Sequence, residues 1–221
     1  MEKIKNFFTP LHNKTKRKYL ERMVNDKINC MKEAKKYSSN YWDGDRKYGY
    51  GGYKYIEGYF TELAIQLIDN YNLSEVSSIL DIGCGKGFLL YEIKKILPKI
   101  NIHGIDISNY AIENSKPEIK EFLSIHNIVN KTTFLDNQFD LTISIGCLHN
   151  LEIYDLYNSI TEINRISKNS YILVESYRND KELFNLQCWA LTCNSFFSVN
   201  EWKWIYNSLD YKGDYEFIYF E

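Results

Sequence analysis

The stretch Leu80-Asp81-Ile82-Gly83-Cys84-Gly85-Lys86-Gly87-Phe88 decides the fold of this chain. It ends a short apolar run, 78–82, and leads into a helical pattern, 88–97, that Pro98 closes. Glycines at alternate positions between a strand and a helix permit a tight turn and let the backbone approach a ligand closely. The stretch therefore predicts a strand, a turn and a helix, with a ligand at the carboxyl end of the strand.

Strands and helices alternate outward from this stretch. Further strands are predicted at 101–107, 122–126, 140–145, 171–176 and 215–220, and further helices at 109–114, 151–167 and 201–209. Ser198 and Glu201 form the capping box expected at the start of the last helix. This alternation predicts an α/β fold: a doubly wound, mostly parallel, Rossmann-like sheet whose ligand lies past the carboxyl ends of the strands.

The first 58 residues have a different texture. Residues 1–37 predict helices, with a break at Pro10. Residues 41–58 are rich in tyrosine and hold five of the 11 glycines, which exclude a regular helix there. A helix is predicted at 59–71. We therefore divide the chain into a helical N-terminal extension with a Tyr/Gly-rich lid loop (1–58) and an α/β domain (59–221).

Composition excludes several classes of protein. The chain has 221 residues, 44% of them hydrophobic and 25% charged, with a net charge of −2, which fits a globular protein and not a general polyanion binder. No apolar run approaches the length of a membrane span, and the N-terminus lacks the apolar core of a secretory signal, so a cytoplasmic location is expected. The cysteines and histidines show no metal-ligand spacing, and no metal is expected.

Basic residues concentrate in the first 40 positions, with 11 Lys and Arg against 4 Asp and Glu. The run 14–18, KTKRK, could contact RNA phosphates. We favour a solvated face of a helix instead, because apolar residues recur at helical spacing just after it: Tyr19, Leu20, Met23, Val24, Ile28 and Met31.

An acidic residue ends the second strand. Asp106 follows Gly87 by 19 residues and could accept both hydroxyls of a ribose. A nicotinamide or flavin dinucleotide fits this spacing, but the third glycine arrives one residue early for that motif. Asp81 would disfavour a pyrophosphate in the turn and suits a cationic amino-acid group.

These segments resemble the class I S-adenosylmethionine-dependent methyltransferases. Residues 80–87, LDIGCGKG, look like the first motif of that family, and residues 104–108, GIDIS, like its acidic second motif. Residues 136–141, 144–149 and 162–166 continue the resemblance, which spans about 60–177. It implies an enzyme that uses S-adenosylmethionine and releases S-adenosylhomocysteine.

The resemblance also implies the cofactor-binding residues. At the methionine end these are Asp81, Gly83, Cys84, Gly85 and Gly87; at the ribose and adenine Asp106, Ile107, Asn127 and Ile128; under the sulfonium Gly146. Asn127 replaces the aspartate common in the family, and its amide oxygen still accepts a hydrogen bond.

Candidates for chemistry with the methyl acceptor lie after strand four and at the end of strand five. His149 is the first candidate for a general base and Glu175 the second, although either could simply support a loop. On the lid loop, the donors, acceptors and flat faces of four residues suit a polar, ring-bearing acceptor such as a sugar, or they pack on the sheet: Asp43, Arg46, Tyr48 and Tyr53. Residues 178–197 form an insertion that roofs the acceptor pocket in the resembled family, and we expect its Trp189, Phe196 and Phe197 in the core.

The sequence is compatible with several hypotheses about function. The leading one is O-methylation of a small polar acceptor, such as a sugar or other precursor in surface-polysaccharide biosynthesis. An RNA or protein methyltransferase that uses the basic arm is the second, but nucleic acid is not expected, because 146–149 lacks the Asn/Asp-Pro-Pro-Tyr/Phe motif of enzymes that methylate nucleic-acid amino groups. A non-catalytic cofactor-binding subunit and a nicotinamide-dependent oxidoreductase are the others. The oligomeric state stays open.

Overall fold

The computed structural model describes residues 3–221, and a six-stranded sheet forms their centre. Its strands are β1 (Ser78–Ile82), β2 (Asn101–Asp106), β3 (Leu123–Ile125), β4 (Leu141–Ile145), β5 (Ser170–Glu175) and β6 (Asp214–Ile218). Their order is β3-β2-β1-β4-β5-β6, and every pair is parallel. The doubly wound α/β prediction is confirmed, with a sheet that is entirely parallel. The order reverses between β1 and β4, where such folds bind their ligands.

Helices cover both faces of the sheet. On one face lie α5 (Thr61–Asn70), α6 (Phe88–Ile96) and α7 (Asn109–Glu113); on the other lie α8 (Ile153–Ile166) and α10 (Val199–Ser208). Strand β1 serves both layers, since Ile79 is buried against the first and Leu80 against the second. Side chains of a strand point alternately to its two faces, so a strand buried on both reads as a continuous apolar run.

In the last part of the chain, one predicted helix start is confirmed and one helix was not predicted. Ser198 and Glu201 form the predicted capping box at the start of α10. Within the segment expected only as an insertion, Asp180–Trp189 forms α9, and the Asn179 side chain caps its N-terminus. Its pattern was weak because α9 buries polar residues, such as Glu182 and Asn185, alongside apolar ones.

Four short helices make up the N-terminal extension: α1 (Thr9–His12), α2 (Tyr19–Val24), α3 (Lys27–Ala34) and α4 (Ser39–Trp42). Pro10 lies in the first turn of α1 and does not break a helix, because a proline there loses no hydrogen bond. A single 3-10 turn, Arg46–Tyr48, is the only helical element that the structure places within residues 43–58.

The apolar periodicity of the extension was misleading. Leu20, Val24 and Ile28 are exposed, whereas Tyr19 packs beside Trp189 at the end of α9. The reason is a turn between α2 and α3, where Asp26 adopts a left-handed conformation with φ of 49°. One helical period therefore does not run across the residues that suggested it. Within residues 3–221, no helix is long and apolar enough to span a bilayer.

Candidate functional site

Two adjoining cavities lie at the carboxyl ends of the central strands. The larger, of about 430 Å³, is the large lobe, and the smaller, of about 290 Å³, is the small lobe. Gly83 after β1 and Gly146 after β4 line both. The lid, residues 41–58, contributes Tyr41 and Tyr50 to both lobes. The two lobes thus form one elongated site beneath the lid, at the point where the strand order reverses.

The small lobe gathers the residues expected at ribose and adenine: Asp106, Ile107, Asn127 and Ile128 all line it. The Asp106 carboxylate accepts the Gly85 N–H at 2.8 Å and the Ser108 N–H at 2.7 Å. A carboxylate offers about four lone-pair sites, so acceptors remain for the two hydroxyls of a ribose. The chemistry of this lobe fits an adenosine.

In the large lobe, two acceptor side chains lack donors among residues 3–221. Asp81 is 5% exposed, and within residues 3–221 its side chain has no hydrogen-bond partner. Burial, and secondly the charge of Asp106, raise the pKa of Asp81 to about 8. The Asn150 Oδ1 atom is buried without a partner among the same residues, and Asn150 lines both lobes. An unpaired carboxyl of this kind fits the ammonium group of S-adenosylmethionine.

The glycines of the loop have different tasks. Gly83 (φ +78°) and Cys84 line the large lobe. Gly85 and Gly87 line neither cavity: a Cβ on Gly85 would come within 2.8 Å of the Trp42 ring, and one on Gly87 within 2.6 Å of a neighbouring isoleucine. The absence of a side chain at those two positions allows close packing. They were expected to contact the cofactor, but neither of them lines a cavity.

The lid is fastened over the glycine loop. Asp43 forms an ion pair with Lys86 at 2.7 Å and accepts the Tyr110 hydroxyl at 2.9 Å. Trp42 donates its indole N–H to Ser108 at 2.8 Å. Of the four residues expected to bind the acceptor, Arg46 and Tyr53 line the large lobe. The structure places the other two elsewhere, because Asp43 anchors the lid and Tyr48 packs against the Cys30–Ala34 cluster.

His149 and Glu175 meet in the large lobe. The Glu175 N–H donates to His149 Nδ1 at 3.3 Å, so the neutral ring carries its proton on Nε2, which lies 3.5 Å from Glu175 Oε2. Burial lowers the pKa of His149, and Glu175 opposes this in part. His149 is therefore neutral at pH 7, and in this arrangement neither ring nitrogen offers a free lone pair. The half-buried Glu175 carboxylate is the acceptor that faces the cavity.

Several lining residues escaped sequence analysis. Arg17, expected on a solvated face, and Arg22, for which no role was predicted, are half-buried and line the large lobe. Trp189 lines it as well, although a place in the core was expected, whereas Phe197 does pack on buried Trp202. The insertion therefore roofs this lobe, as the resemblance implied. Within residues 3–221, no group of three or more His, Cys, Asp or Glu side chains is arranged to hold a metal ion.

Comparison with known proteins agrees with this geometry. Residues 73–213 match a family described as a methyltransferase domain. Ribosomal RNA small subunit methyltransferase C of Haemophilus influenzae is 33% identical over 105 residues, which cover 47% of this chain and 31% of that protein. Ribosomal RNA large subunit methyltransferase G of Shewanella woodyi is 38% identical over 50 residues, 23% of this chain and 12% of that protein. The chain thus aligns with a third or less of the length of these relatives.

Solved structures share the fold. The YcgJ protein of Bacillus subtilis has a TM-score of 0.54 at 16% identity, over 66% of each chain. Geranyl diphosphate methyltransferase, solved with GPP and sinefungin, has a TM-score of 0.54 at 14% identity, over 66% of this chain and 57% of that one. The parallel sheet and the glycine-rich site define a class I S-adenosylmethionine-dependent methyltransferase. The chain belongs to the methyltransferase-domain family that matches its residues 73–213.

Proposed function

We propose that this enzyme methylates a hydroxyl oxygen of a small polar acceptor bound in the large lobe, such as a sugar or another precursor of a surface glycan. The observation that carries the proposal is the pairing of Glu175 with His149 in that lobe, beside Gly146. When bound, S-adenosylmethionine supplies an electrophilic methyl group on a positively charged sulfur. A hydroxyl that accepts this group must lose a proton, and the lobe contains a base for it.

We assign the two candidate residues different tasks. Glu175 accepts the proton of the acceptor hydroxyl, because its carboxylate faces the lobe. His149 is a positioning residue: its Nε2 lies 3.5 Å from Glu175 Oε2, and its Nδ1 accepts the backbone N–H of the last residue of β5. The buried ring thereby orients the carboxylate at the end of its strand, as an imidazole does when it is held on both nitrogens.

The dimensions of the site favour a small acceptor. A volume of about 430 Å³ falls in the range of roughly 300–1,000 Å³ that is usual for small-molecule pockets. The roof consists of aromatic rings, with Tyr50 and Tyr53 of the lid 4.6 Å apart between centroids and Trp189 from α9. Such rings exclude water and offer flat faces to a sugar or another ring.

Methylation of RNA is the second candidate, because the curated relatives are named as ribosomal RNA methyltransferases. Lys14, Lys16 and Lys18 are exposed and could contact phosphates. Against this candidate, Arg17 of the same run turns into the large lobe and lies over the Trp189 ring. A non-catalytic role would make the chain a cofactor-binding subunit only. Turnover of S-adenosylmethionine with any acceptor would contradict that role.

Methyl transfer into a fractionated extract tests the proposal. Labelled S-adenosylmethionine is incubated with the protein and an extract separated into small molecules, glycans, RNA and protein. We expect label in the small-molecule or glycan fraction. Label confined to RNA, with binding that weakens steeply as salt rises, would overturn the proposal in favour of the second candidate.

The Glu175→Gln variant tests the assigned base. We expect kcat to fall by about 10²- to 10⁴-fold, the usual contribution of a general base, while the affinity for S-adenosylhomocysteine is retained. His149→Gln should lower kcat less and alter its pH profile. Glu62→Gln, at an exposed position on α5, is the matched control and should behave as wild type. Undiminished kcat in Glu175→Gln would contradict the assignment.

A further inference from the structure

Three arginines converge on one part of the large lobe. Arg17, Arg22 and Arg46 all line it, and their guanidinium groups lie 5.5, 4.4 and 5.2 Å from the centroid of the same Trp189 ring. Arg17 also lies 5.2 Å from the centroid of Phe220. We call these three residues the arginine cluster. Arg22 comes from α2, Arg17 from the segment before it and Arg46 from the lid. The fold thus brings three separate segments together at one aromatic surface.

The cluster keeps hydrogen-bond donors in reserve. Within residues 3–221 none of its members forms an ion pair with a carboxylate, and Arg22 donates only to the carbonyls of Trp189 at 2.9 Å and Arg46 at 3.0 Å. Arg46 donates to the Gly49 carbonyl. Arg17 donates through Nη1 to the carbonyls of His12 and Thr15, and its Nη2 lies 3.0 Å from His12 Nδ1, while its Nε atom is buried without a partner among the same residues. A guanidinium has five N–H donors, so each member retains some that are unused.

The charge of the cluster is only partly neutralised by the residues around it. Burial lowers the pKa of all three arginines, and for Arg22, where Arg46 adds to the effect, it falls to about 10. All three are still cationic at pH 7. The acids that line the large lobe are Asp81, on β1, and Glu175, whose charge partly offsets the effect of burial on the pKa of Arg17 and Arg22. Because Asp81 is mostly protonated at pH 7, one carboxylate charge faces three guanidinium groups. Like charges gathered beside a partly closed cavity are favourable sites for an anion.

A purely structural role does not account for the arrangement. Lys27 shows what such a role looks like: its ammonium donates to the carbonyls of Cys188 and Ala190, fastens α3 to the end of α9 and lines neither cavity. The arginine cluster makes similar contacts with some of its donors, yet its side chains also line the lobe.

The location separates the cluster from the cofactor. Phe220 follows β6, which is three strands from β1 in the sheet. Neighbouring strands lie about 4.8 Å apart, so this edge is roughly 14 Å from the strand that carries Asp81. The small lobe, with its adenosine-type residues, lies on the opposite side of β1 at β2 and β3.

We propose that the arginine cluster binds an oxyanion of the methyl acceptor, a carboxylate or a phosphate, so that the substrate is an anionic small molecule. This inference rests on the proposed function, which places the acceptor in the large lobe. Guanidinium groups match both oxyanions because their planar fork donates two parallel hydrogen bonds. With the oxyanion held at Trp189, the hydroxyl to be methylated lies toward Glu175 and Gly146.

Binding of simple oxyanions tests this without any turnover. The protein saturated with S-adenosylhomocysteine is titrated with inorganic phosphate and separately with acetate, while isothermal titration calorimetry measures binding. Sodium chloride of equal ionic strength is the blank. We expect a saturable response to at least one oxyanion, and the stronger of the two identifies the group on the acceptor. No saturable response to either oxyanion overturns the proposal.

Variants connect the response to the cluster. In Arg17→Gln and Arg22→Gln we expect oxyanion binding to weaken by about tenfold or more, the effect of losing a charge-assisted hydrogen bond. The exposed neighbour Lys16 supplies the matched control, Lys16→Gln, which should bind as wild type. Equal losses in the control contradict the proposal. A parallel loss of S-adenosylhomocysteine affinity also contradicts it, because the cluster would then serve the cofactor carboxylate.

The test distinguishes this inference from the proposed function. If the oxyanion binds at the arginine cluster but labelled methyl enters only RNA, the proposed function is wrong and the anion site stands. If small molecules are methylated but neither oxyanion binds, the reverse holds.

Discussion

Asp81 is a buried carboxyl whose protonation depends on what occupies the site. Burial and Asp106 raise its pKa to about 8, far above the ordinary value of 3.8. Between about pH 4 and pH 8 the folded chain therefore holds a proton that the unfolded chain has released. Stability rises with pH only where the unfolded state binds more protons, so here this carboxyl makes the unliganded fold less stable as pH increases through that window. A cationic ligand beside it favours the ionised form.

We accordingly predict that binding of S-adenosylhomocysteine releases a proton. At pH 7 a group with a pKa near 8 is protonated in about nine molecules of ten, so release should approach about 0.9 proton per site. Calorimetry in two buffers of different ionisation enthalpy measures this number. Asp81→Asn should abolish the release and weaken binding by at least about tenfold, the worth of a charged hydrogen bond. Asp69→Asn, exposed on α5, should change neither; persistent proton release in Asp81→Asn would assign it to another group.

The lid lines both lobes of the site, and its attachment points are specific. One end is held by Asp43 on Lys86 and Tyr110, above the glycine loop. The other end is held by Tyr55, whose hydroxyl donates to Glu92 on α6. Between them the glycine-rich turn carries tyrosines into both lobes. A segment fixed at its ends and light in regular structure can open and close without disturbing the sheet.

Asp43→Asn should loosen this lid. Lys86 is 4% exposed, and the substitution removes the one charged partner of its ammonium, which is left with neutral acceptors such as the Tyr53 carbonyl at 2.9 Å. We expect lid closure to weaken by about 1–3 kcal/mol, which is the usual cost of losing a hydrogen bond to a charged group. Limited proteolysis within residues 44–58 and the KM for S-adenosylmethionine should both increase. Asp45→Asn is the control, because asparagine also accepts the Lys47 N–H that Asp45 accepts; equal effects of the two changes would refute the anchoring role.

The sequence predicted some strands and helices more accurately than others. Strands β1, β4 and β5 were expected within a residue or two of their ends, because each is an apolar run bounded by turn residues and buried on both faces. Helix α9 was missed because polar side chains buried by partners elsewhere obscure its period. The cofactor half of the site was predictable because its residues lie in short motifs at strand ends. The arginine cluster was not, since Arg22 meets Trp189 across 167 positions of sequence, and no local pattern records such a contact.

On the scale of the whole molecule, the extension and the sheet are interleaved. Residue Ile4 pairs with Tyr215 of β6 in parallel, and the buried Glu216 carboxylate accepts the backbone N–H groups of Phe7, Phe8 and Thr9. Further along, α2 packs on α9, and the lid lies on the glycine loop. The extension therefore contacts the α/β domain at three separate places. The division at residue 58 marks a change in texture along the sequence, and we propose that it is not a boundary between units that unfold independently.

The corresponding prediction is one unfolding transition for the entire chain. Pulsed hydrogen exchange across a urea series gives a midpoint for each peptide, and peptides from α2–α3 and from β4–β5 should share the same value. Glu216→Gln should lower both midpoints together, because an amide nitrogen facing these backbone donors leaves a buried N–H unpaired at a cost of about 1–3 kcal/mol. Glu221→Gln, exposed at the last position, should leave both unchanged. Separate midpoints in the wild type would show that residues 1–58 unfold as a domain of their own. The arginine cluster, whose members all belong to that segment, would then form and dissolve independently of the cofactor site.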